Sequence, residues 1–344
     1  MYEITLQQPA ALTVFSMYDK NDDANDNKYF PSEIFRGFGV RRTRFVAASV
    51  GEGAKSNVII LSHINLLLVG WMIKKVSPRT KLFLFAHGIE VWKPLSTFKK
   101  KMLHCCDQII CVSNYTFKKI QELHHYPAEK CTVLNNCLDP FLPLPSSDTS
   151  HGSLLKKYGF NESDRILFTL TRLSAKERYK GYDKVLEAMA KIKLQYPGIH
   201  YLLAGSYDKE EKAWIDALVK KMDLTKNILM PGYVPDKEVA NHFALADMYV
   251  MPSMKEGFGI VFIEAMYYGL PVIAGNIDGS VDALSNGELG LLVNPLDVND
   301  IQKAIEKILA NKEAYVPNHK LLMKKFSYTT YKNKLENILE NLKN

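Results

Sequence analysis

The stretch Glu256-Gly-Phe-Gly-Ile-Val-Phe-Ile-Glu264 joins a predicted buried strand, Tyr249–Pro252, to a predicted helix at 260–268. A helix that starts directly after a strand points unpaired backbone N–H groups and a positive dipole end at one place, where a phosphate binds well. The two glycines allow the backbone to approach a ligand closely, because they carry no Cβ. Glu256 lies at the mouth of the loop and Glu264 about one turn into the helix, so both carboxylates can accept hydrogen bonds from one ligand. Alternatively, the two acids only cap the helix.

Strand and helix patterns alternate over most of the chain. The predicted strands include 12–15, 58–61, 81–85, 108–112, 131–134, 165–170 and 200–204, and the predicted helices include 114–123, 182–195 and 209–222. Serial β-α-β units of this kind predict an α/β protein with two doubly wound parallel sheets. Ligands bind beyond the carboxyl ends of the strands in such sheets, so we expect the site in a cleft between two domains.

Length and local composition predict how the domains divide. A chain of 344 residues suits about two domains. A proline- and serine-rich stretch separates the two runs of alternation and is typical of a linker. We therefore predict an N-terminal domain at 1–141, a linker at 142–151, a second domain at 152–325 and a terminal amphipathic helix within 326–344.

Composition narrows the class of protein. Apolar residues make up 47% of the chain and charged residues 24%, as in an ordinary soluble globular protein. The net charge of +7 suits a phosphate-bearing ligand or an anionic membrane surface, but it is too small to indicate nucleic acid. The five cysteines include no Cys-x-x-Cys pair, which favours reduced thiols in a cytoplasmic protein over a disulfide framework or a zinc site. The apolar run Val58–Ile73 is too short and too polar to span a bilayer.

Two cations of the second domain lie where a diphosphate can be held. Arg172 follows the predicted strand 165–170, and Lys180 precedes the next predicted helix. At a strand end and a helix start, they can clamp a diphosphate and neutralise its charge as it leaves. The alternative is that both are solvated surface cations. Solvation is what we expect of three neighbouring cations, Lys176, Arg178 and Lys191.

Several short motifs together carry a resemblance to a known family. In the second half these are Thr171-Arg-Leu173, Lys180-Gly-Tyr-Asp183, Ala204-Gly205, Pro231-Gly-Tyr-Val234, the 256–264 stretch with its continuation to 274, and the segment 287–295. In the first half they are His87-Gly-Ile-Glu-Val-Trp92, Val112-Ser-Asn114 and Asn136-Cys-Leu-Asp139. Over nearly its whole length, the chain resembles the GT-B glycosyltransferases, specifically the retaining family 4. The last motif departs from the usual Asn-Gly-Val-Asp of that family.

The resemblance implies a role for each matched residue. Arg172 and Lys180 would hold the diphosphate of a nucleotide-sugar donor, Glu264 the ribose hydroxyls and Glu256 the transferred sugar. The remaining donor contacts would be Val234 at the base and the backbone N–H groups of Gly257, Phe258, Gly259, Ile260 and Val261. His87 would lie near the sugar and the acceptor, the alternative being an ordinary core histidine. The Pro231–Pro235 segment can equally be a simple turn.

The resemblance also implies the reaction. A sugar would move with retention of configuration from a UDP- or GDP-type donor to a glycan or lipid-linked acceptor, with polysaccharide biosynthesis as the setting. A phosphate oxygen can take the acceptor's proton, so we assign no side-chain nucleophile. A glycosidase also uses two carboxylates, but it has no need of the two cations and the phosphate-type loop. The absence of an Asp-x-Asp motif leaves nothing that requires a divalent metal, and no cofactor is expected.

One departure from the family lies at the start of the chain. Family members open with a strand and a glycine-rich loop, whereas residues 1–8 resemble the end of the helix that follows that loop. The apparent absence of that strand and loop keeps open a catalytically weak nucleotide-sugar-binding scaffold as an alternative to the transferase. A nucleotide-sugar 2-epimerase of the same fold is a second alternative, against which the family motif argues. In GT-B enzymes a terminal helix returns to the first domain, and we expect the same of 326–344.

A basic segment of the first domain suggests where the acceptor is met. Lys99, Lys100 and Lys101 follow apolar residues, and four arginines at 36, 41, 42 and 44 add to the charge. Such a surface can hold the protein at the inner face of an anionic membrane that carries a lipid-linked sugar. A solvated basic face is the alternative.

Overall fold

The computed structural model describes residues 12–144 and 149–340, which divide into two compact units. Unit 1 comprises the described residues up to Cys111, Thr116–Leu134 and those from 332 on, and unit 2 comprises Val112–Tyr115 and Asn135–Tyr331. The predicted domain boundary at 141 therefore falls inside unit 2. The segment 1–8, predicted to resemble the end of a helix, lies outside the described residues.

Strands and helices alternate along the described chain. The strands are β1 (Val14–Ser16), β2 (Phe35–Gly37), β3 (Val58–Leu61), β4 (Lys81–Ala86), β5 (Gln108–Cys111), β6 (Cys131–Val133), β7 (Arg165–Leu170), β8 (Ile199–Ala204), β9 (Ile228–Gly232), β10 (Met248–Met251), β11 (Val272–Gly275) and β12 (Leu291–Val293). The helices are α1 (Arg42–Gly53), α2 (Leu67–Val76), α3 (Thr97–Leu103), α4 (Asn114–His124), α5 (Thr149–Tyr158), α6 (Tyr182–Ile192), α7 (Lys209–Lys221), α8 (Asp236–Leu245), α9 (Ile260–Tyr267), α10 (Ser280–Ala283), α11 (Val298–Ala310), α12 (His319–Phe326) and α13 (Tyr328–Glu340).

Unit 1 is built on parallel strands. β3, β4, β5 and β6 form one sheet in chain order, and β1 and β2 form a separate parallel pair. After their first residues, Lys81 and Gln108, β4 and β5 are continuous apolar runs that are mostly buried, as expected of strands in a parallel sheet whose faces are both covered. The helices between these strands make the crossovers that parallel pairing requires.

Unit 2 contains a six-stranded parallel sheet in the order β12-β11-β10-β7-β8-β9. The chain runs outward from β7 to β9, then returns to the other side of β7 at β10. This order is that of a doubly wound sheet, and it leaves a crevice at the carboxyl ends of β7 and β10, where the direction of winding reverses. The sequence-based prediction of an α/β fold with parallel sheets is confirmed.

The central strands of unit 2 show why the sheet is covered on both faces. In β7, Phe168 packs into one buried apolar cluster and Leu167 into the other. In β10, Tyr249 and Val250 divide in the same way. Because neighbouring side chains of a strand point to opposite faces, apolar residues at consecutive positions require a hydrophobic layer on each side.

Two local predictions are corrected by the structure. α5 begins at Thr149, inside the predicted linker. Pro231 and Gly232 are the last residues of β9 and not part of a turn. The predicted terminal helix is present as α13, which starts at Tyr328 because Ser327 has an extended backbone and its hydroxyl accepts a hydrogen bond from the N–H of Thr330. Within the described chain, no helix combines the length and the apolar character needed to cross a bilayer.

Candidate active site

Two loops meet at the crevice of unit 2. One follows β7 and ends in a 3-10 turn, Arg178–Lys180, just before α6. The other follows β10 and leads to α9. They touch at Gly181, which has φ +78° and at which a Cβ would lie 2.4 Å from the carbonyl oxygen of Pro252. Only glycine allows so close an approach in this conformation.

Lys180 and Glu256 form an ion pair across this contact. The lysine Nζ lies 2.5 Å from the glutamate Oε2, and the two side chains are only 13% and 17% exposed. They lie 76 residues apart in the sequence, so the topology of the sheet brings them together. Each was predicted as a site residue, and the structure places them in direct contact.

Arg172 is held in the same loop by a different carboxylate. Its guanidinium donates a hydrogen bond to Glu177, which raises the arginine pKa, and its side chain is 70% exposed. Burial raises the pKa of neighbouring Tyr179 to about 12, and the charges of Glu177 and Glu256 act in the same direction while Arg172 opposes them. Tyr179 thus lies within electrostatic reach of both ion pairs.

The loop after β10 is fixed by a carboxylate that the sequence analysis missed. Asp278 is 1% exposed and accepts hydrogen bonds from the N–H groups of Glu256 (2.6 Å) and Ser280 (2.9 Å). The N–H of Gly279 donates in return to the carbonyl of Glu256 at 2.8 Å. Burial raises the pKa of Asp278 to about 6, and the charge of Glu256 adds to this. The available signal was an acid three residues beyond a fully buried strand.

The start of α9 is open to a ligand. Its N-cap residue Gly259 has φ +88°, and no side chain caps the first turn. The first N–H groups of a helix have no partner within it, so those of Ile260 and Val261 can bind an anion. Phe258 packs in the core against Phe326, with ring centroids 5.6 Å apart, and this contact fixes the loop to the core.

Two further predicted donor residues have distinct environments. Glu264 is half-buried, and burial raises its pKa, with Asp139 adding to the shift. Burial raises the pKa of the Tyr249 hydroxyl, and the charges of Glu256 and Glu264 both add to the shift, so the two acids share one neighbourhood. The side chain of Val234 lies in the core at 4% exposure, so a contact of this residue with a nucleobase would have to use its backbone.

His87 directly follows β4 in unit 1. It is exposed, so the alternative of an ordinary core histidine is wrong. Its Nε2 lies 2.8 Å from the carbonyl oxygen of Ser62. Since a carbonyl only accepts, Nε2 carries the proton and Nδ1 is the free acceptor in the neutral ring. The carboxylate of Glu90 accepts from the N–H groups of His87 and Gly88 and so holds the turn.

One surface prediction is wrong. Arg178 is bonded to Glu211, whose side chain is fully buried, with Nε–Oε2 at 2.9 Å. The same carboxylate accepts from the hydroxyl of Tyr182 at 2.6 Å, and the guanidinium stacks over the ring of Trp214 at 3.9 Å. Arg178 is therefore a structural residue that ties the 3-10 turn carrying Lys180 to α7.

The arrangement has a defined chemical capacity. Two cations, an uncapped helix start and two partly buried carboxylates suit a ligand that combines phosphates with hydroxyl groups. Among residues 12–144 and 149–340, no group of three or more His, Cys, Asp or Glu side chains is placed to hold a metal ion.

Comparisons with known proteins agree with this capacity. The family model described as "Glycosyl transferases group 1" matches residues 152–332, more than half of the chain. The model described as "Glycosyltransferase Family 4" matches residues 13–140.

Similar proteins include several sugar transferases. A GDP-mannose-dependent alpha-(1-6)-phosphatidylinositol monomannoside mannosyltransferase of Mycolicibacterium smegmatis is 25% identical over 280 residues, which cover 76% of this chain and 69% of that protein. Mannosylfructose-phosphate synthase of Agrobacterium fabrum is 24% identical over 230 residues, 63% of this chain and about half (50%) of that protein. For the corresponding Mycobacterium tuberculosis mannosyltransferase, the match covers 64% of its length.

Solved structures share the fold. HepE of Anabaena, in complex with UDP and glucose, superposes with a TM-score of 0.75 at 19% identity and covers 90% of this chain and 87% of its own. Sucrose-phosphate synthase of Thermosynechococcus elongatus superposes with a TM-score of 0.72 at 23% identity, covering 93% and 82%. The resemblance inferred from the sequence motifs is confirmed, and the chain belongs to the group 1 glycosyltransferases, with the GT-B fold.

Proposed function

We propose that the protein transfers a hexose from a UDP- or GDP-type sugar donor, with retention of configuration, to a saccharide or lipid-linked acceptor in polysaccharide biosynthesis. The observation that carries the proposal is the ion pair of Lys180 and Glu256 beside the open start of α9, at the switch point of the unit 2 sheet. The relatives support a nucleotide-sugar donor, since one is named for its dependence on GDP-mannose and one structure holds UDP with glucose.

In this proposal the donor diphosphate binds Lys180, Arg172 and the N–H groups at the start of α9. Both cations are paired with carboxylates in the free chain, so donor binding exchanges those partners for phosphate oxygens. Glu256 then becomes available to the hydroxyls of the transferred sugar. Glu264, whose burial disfavours its charged form, gains hydrogen bonds from the ribose hydroxyls.

The reaction follows from these contacts. The bond between C1 of the sugar and the phosphate oxygen breaks, and the acceptor oxygen forms a bond to C1 from the same face. The proton of the acceptor hydroxyl passes to the departing phosphate oxygen. Negative charge develops on the diphosphate, and two fixed cations stabilise it, so we expect the activity to persist in the presence of a chelator. We assign His87 to the part of the site that meets the transferred sugar and the acceptor.

Unit 1 carries a surface that suits the inner face of a membrane. Phe98 is 53% exposed and Leu68 44% exposed, and the rings of Phe98 and Trp71 meet edge to face at 5.7 Å. Lys99–Lys101 continue from this apolar surface along α3. Apolar side chains flanked by lysines bind the headgroup region of anionic bilayers. We include such contact in the proposal for a lipid-linked acceptor, and the protein is expected in the cytoplasm.

The test compares Lys180→Met with Lys176→Met, an exposed lysine of the same loop, in the full-length chain. Purified protein is first offered a panel of UDP- and GDP-sugars, and binding is followed by calorimetry. For the donor that binds, replacement of Lys180 should lower the turnover rate by about 100-fold or more, because one charge-stabilising group is removed. The control should keep the parent rate.

Other results would refute parts of the proposal. If the two lysine variants had equal activity, Lys180 and its surroundings would not be the site of the reaction. Binding without any turnover would favour the scaffold, and a new free nucleotide sugar formed without acceptor would favour the epimerase. His87→Ala should lose transfer while keeping donor affinity, and loss of donor affinity would contradict its assignment to the acceptor side.

A further inference from the structure

A second basic site lies in unit 1 and is not used by the donor. A cavity of about 350 Å³ opens between β2 and the start of α1, and three of the residues that line it are Arg36, Arg41 and Arg44. This volume is near the lower end of the range of volumes that ligand pockets have, so the cavity suits a small acidic group better than a whole nucleotide sugar. The residues proposed to hold the donor diphosphate all belong to unit 2.

The described residues supply no carboxylate partner to the arginines of this cavity. In the part of the chain that the structure describes, none of the three forms an ion pair. The sequence contains no acid between Glu33 and Glu52. The nearby carboxylates of Asp19 and Asp23 are bonded to the Ser16 hydroxyl and the Lys20 N–H instead. The arginines of the cavity are therefore available to an anionic ligand.

The position of two arginines is unfavourable without such an anion. Arg41 is the N-cap residue of α1 and Arg44 lies in its first turn, where no acidic residue is present. Cations at a helix N-terminus oppose the helix dipole, and acids normally occupy these positions. A bound anion would be attracted by the dipole and by both guanidinium groups.

The cavity is also held in shape before any ligand binds. The guanidinium of Arg36 stacks on the rings of Phe15 and Phe38, at 5.8 and 5.2 Å from their centroids. Phe38 is buried, and its N–H donates to the carbonyl of Ser16. Stacking fixes the plane of the guanidinium and leaves its N–H edges free for bidentate contact with phosphate.

We propose that this cavity binds the phosphate group of the acceptor substrate. The inference rests on the proposed function, because it assigns to unit 1 the charge recognition of the molecule that receives the sugar. Three guanidinium groups match a dianionic phosphate better than a single carboxylate, since each can form two parallel hydrogen bonds to phosphate oxygens. The phosphate can belong to a soluble sugar phosphate or to a lipid headgroup.

The experiment measures binding directly, so that it does not depend on turnover. The full-length chain is titrated with inorganic phosphate and with glucose 6-phosphate, and separately with phosphatidylcholine vesicles that contain or lack phosphatidic acid. Arg41→Gln and Arg44→Gln are compared with Arg42→Gln, a neighbouring exposed arginine that does not line the cavity. We expect the first two to weaken binding of the phosphate probe about tenfold or more and Arg42→Gln to change it less than about twofold.

The outcomes separate this inference from the proposed function. Binding of the soluble probes assigns the phosphate to a sugar phosphate, and binding only of vesicles with phosphatidic acid assigns it to a lipid. Equal effects of all three arginine variants, or no binding of any probe, would overturn the inference. UDP and GDP affinities are measured alongside and should not change in any variant, so a failure of the donor site would be seen independently.

Discussion

Replacement of Glu211 by glutamine should destabilise unit 2 and loosen the turn that carries Lys180. Glu211 is fully buried and accepts hydrogen bonds from Arg178 and from the hydroxyl of Tyr182. Glutamine can still accept from Tyr182, but it presents a neutral group to the guanidinium. The variant thus removes the charge-assisted part of the network while keeping the side-chain volume.

The size of the expected loss of unfolding free energy follows from the burial of Glu211 and Arg178. Removing one partner of a fully buried ion pair costs about 3–5 kcal/mol. The side chain of Arg178 is 36% exposed, so water can solvate part of its charge in the variant. We therefore expect a loss of about 2–3 kcal/mol, close to that of one charge-assisted hydrogen bond. For a unit of about 200 residues, this lowers Tm by about 4–12 °C.

The assay is urea and thermal unfolding of the full-length chain, followed by circular dichroism, with Glu210→Gln as the matched control. Glu210 is the preceding residue of α7 and is exposed, so its replacement removes the same charge from the same helix start. Its cost should stay below about 1 kcal/mol. If the two variants unfold at the same temperature, the buried network contributes nothing, and the account of Arg178 as a structural anchor is refuted.

Three further outcomes are expected. Asp278→Asn should change the pH dependence of stability, because the pKa of Asp278 is about 6 in the folded chain and about 3.9 in the unfolded chain. The folded wild type is therefore favoured by the protonated carboxyl group below pH 4, and this stabilisation is lost as pH rises through 6. In urea titrations, the wild type should lose up to about 3 kcal/mol of unfolding free energy relative to the variant between pH 4 and 7, and a constant difference would contradict the assigned pKa. Gly259→Ala should abolish donor binding in calorimetry, because its Cβ would lie 2.3 Å from the Phe262 ring at a positive φ, and retained affinity would show that the start of α9 is not used. Glu177→Gln should raise donor affinity about two- to fivefold by freeing Arg172, and a decrease would mean that the ion pair positions the arginine for the donor.

Local patterns predicted the strands and helices of unit 2 well because the central strands are buried on both faces. The predicted strand at 165–170 coincides with β7, and the predicted helix at 209–222 differs from α7 by one residue. Short elements were missed where the pattern is weak. β2 has three residues of mixed burial, and α1 begins with basic residues that do not signal a helix start.

The interaction partners of the site residues could not be predicted from the sequence, for a physical reason. A residue at a strand end can be recognised locally, but what it meets depends on which strand lies beside it. Lys180 meets Glu256 only because β10 returns to the open side of β7, and Asp278 reaches Glu256 only because β11 lies beyond β10. The two cations of the crevice, Arg172 and Lys180, are therefore each paired with a carboxylate in the free chain. In the proposed function, binding of a diphosphate would redistribute these two ion pairs, so the affinity would depend on the carboxylates that release the cations as much as on the cations themselves.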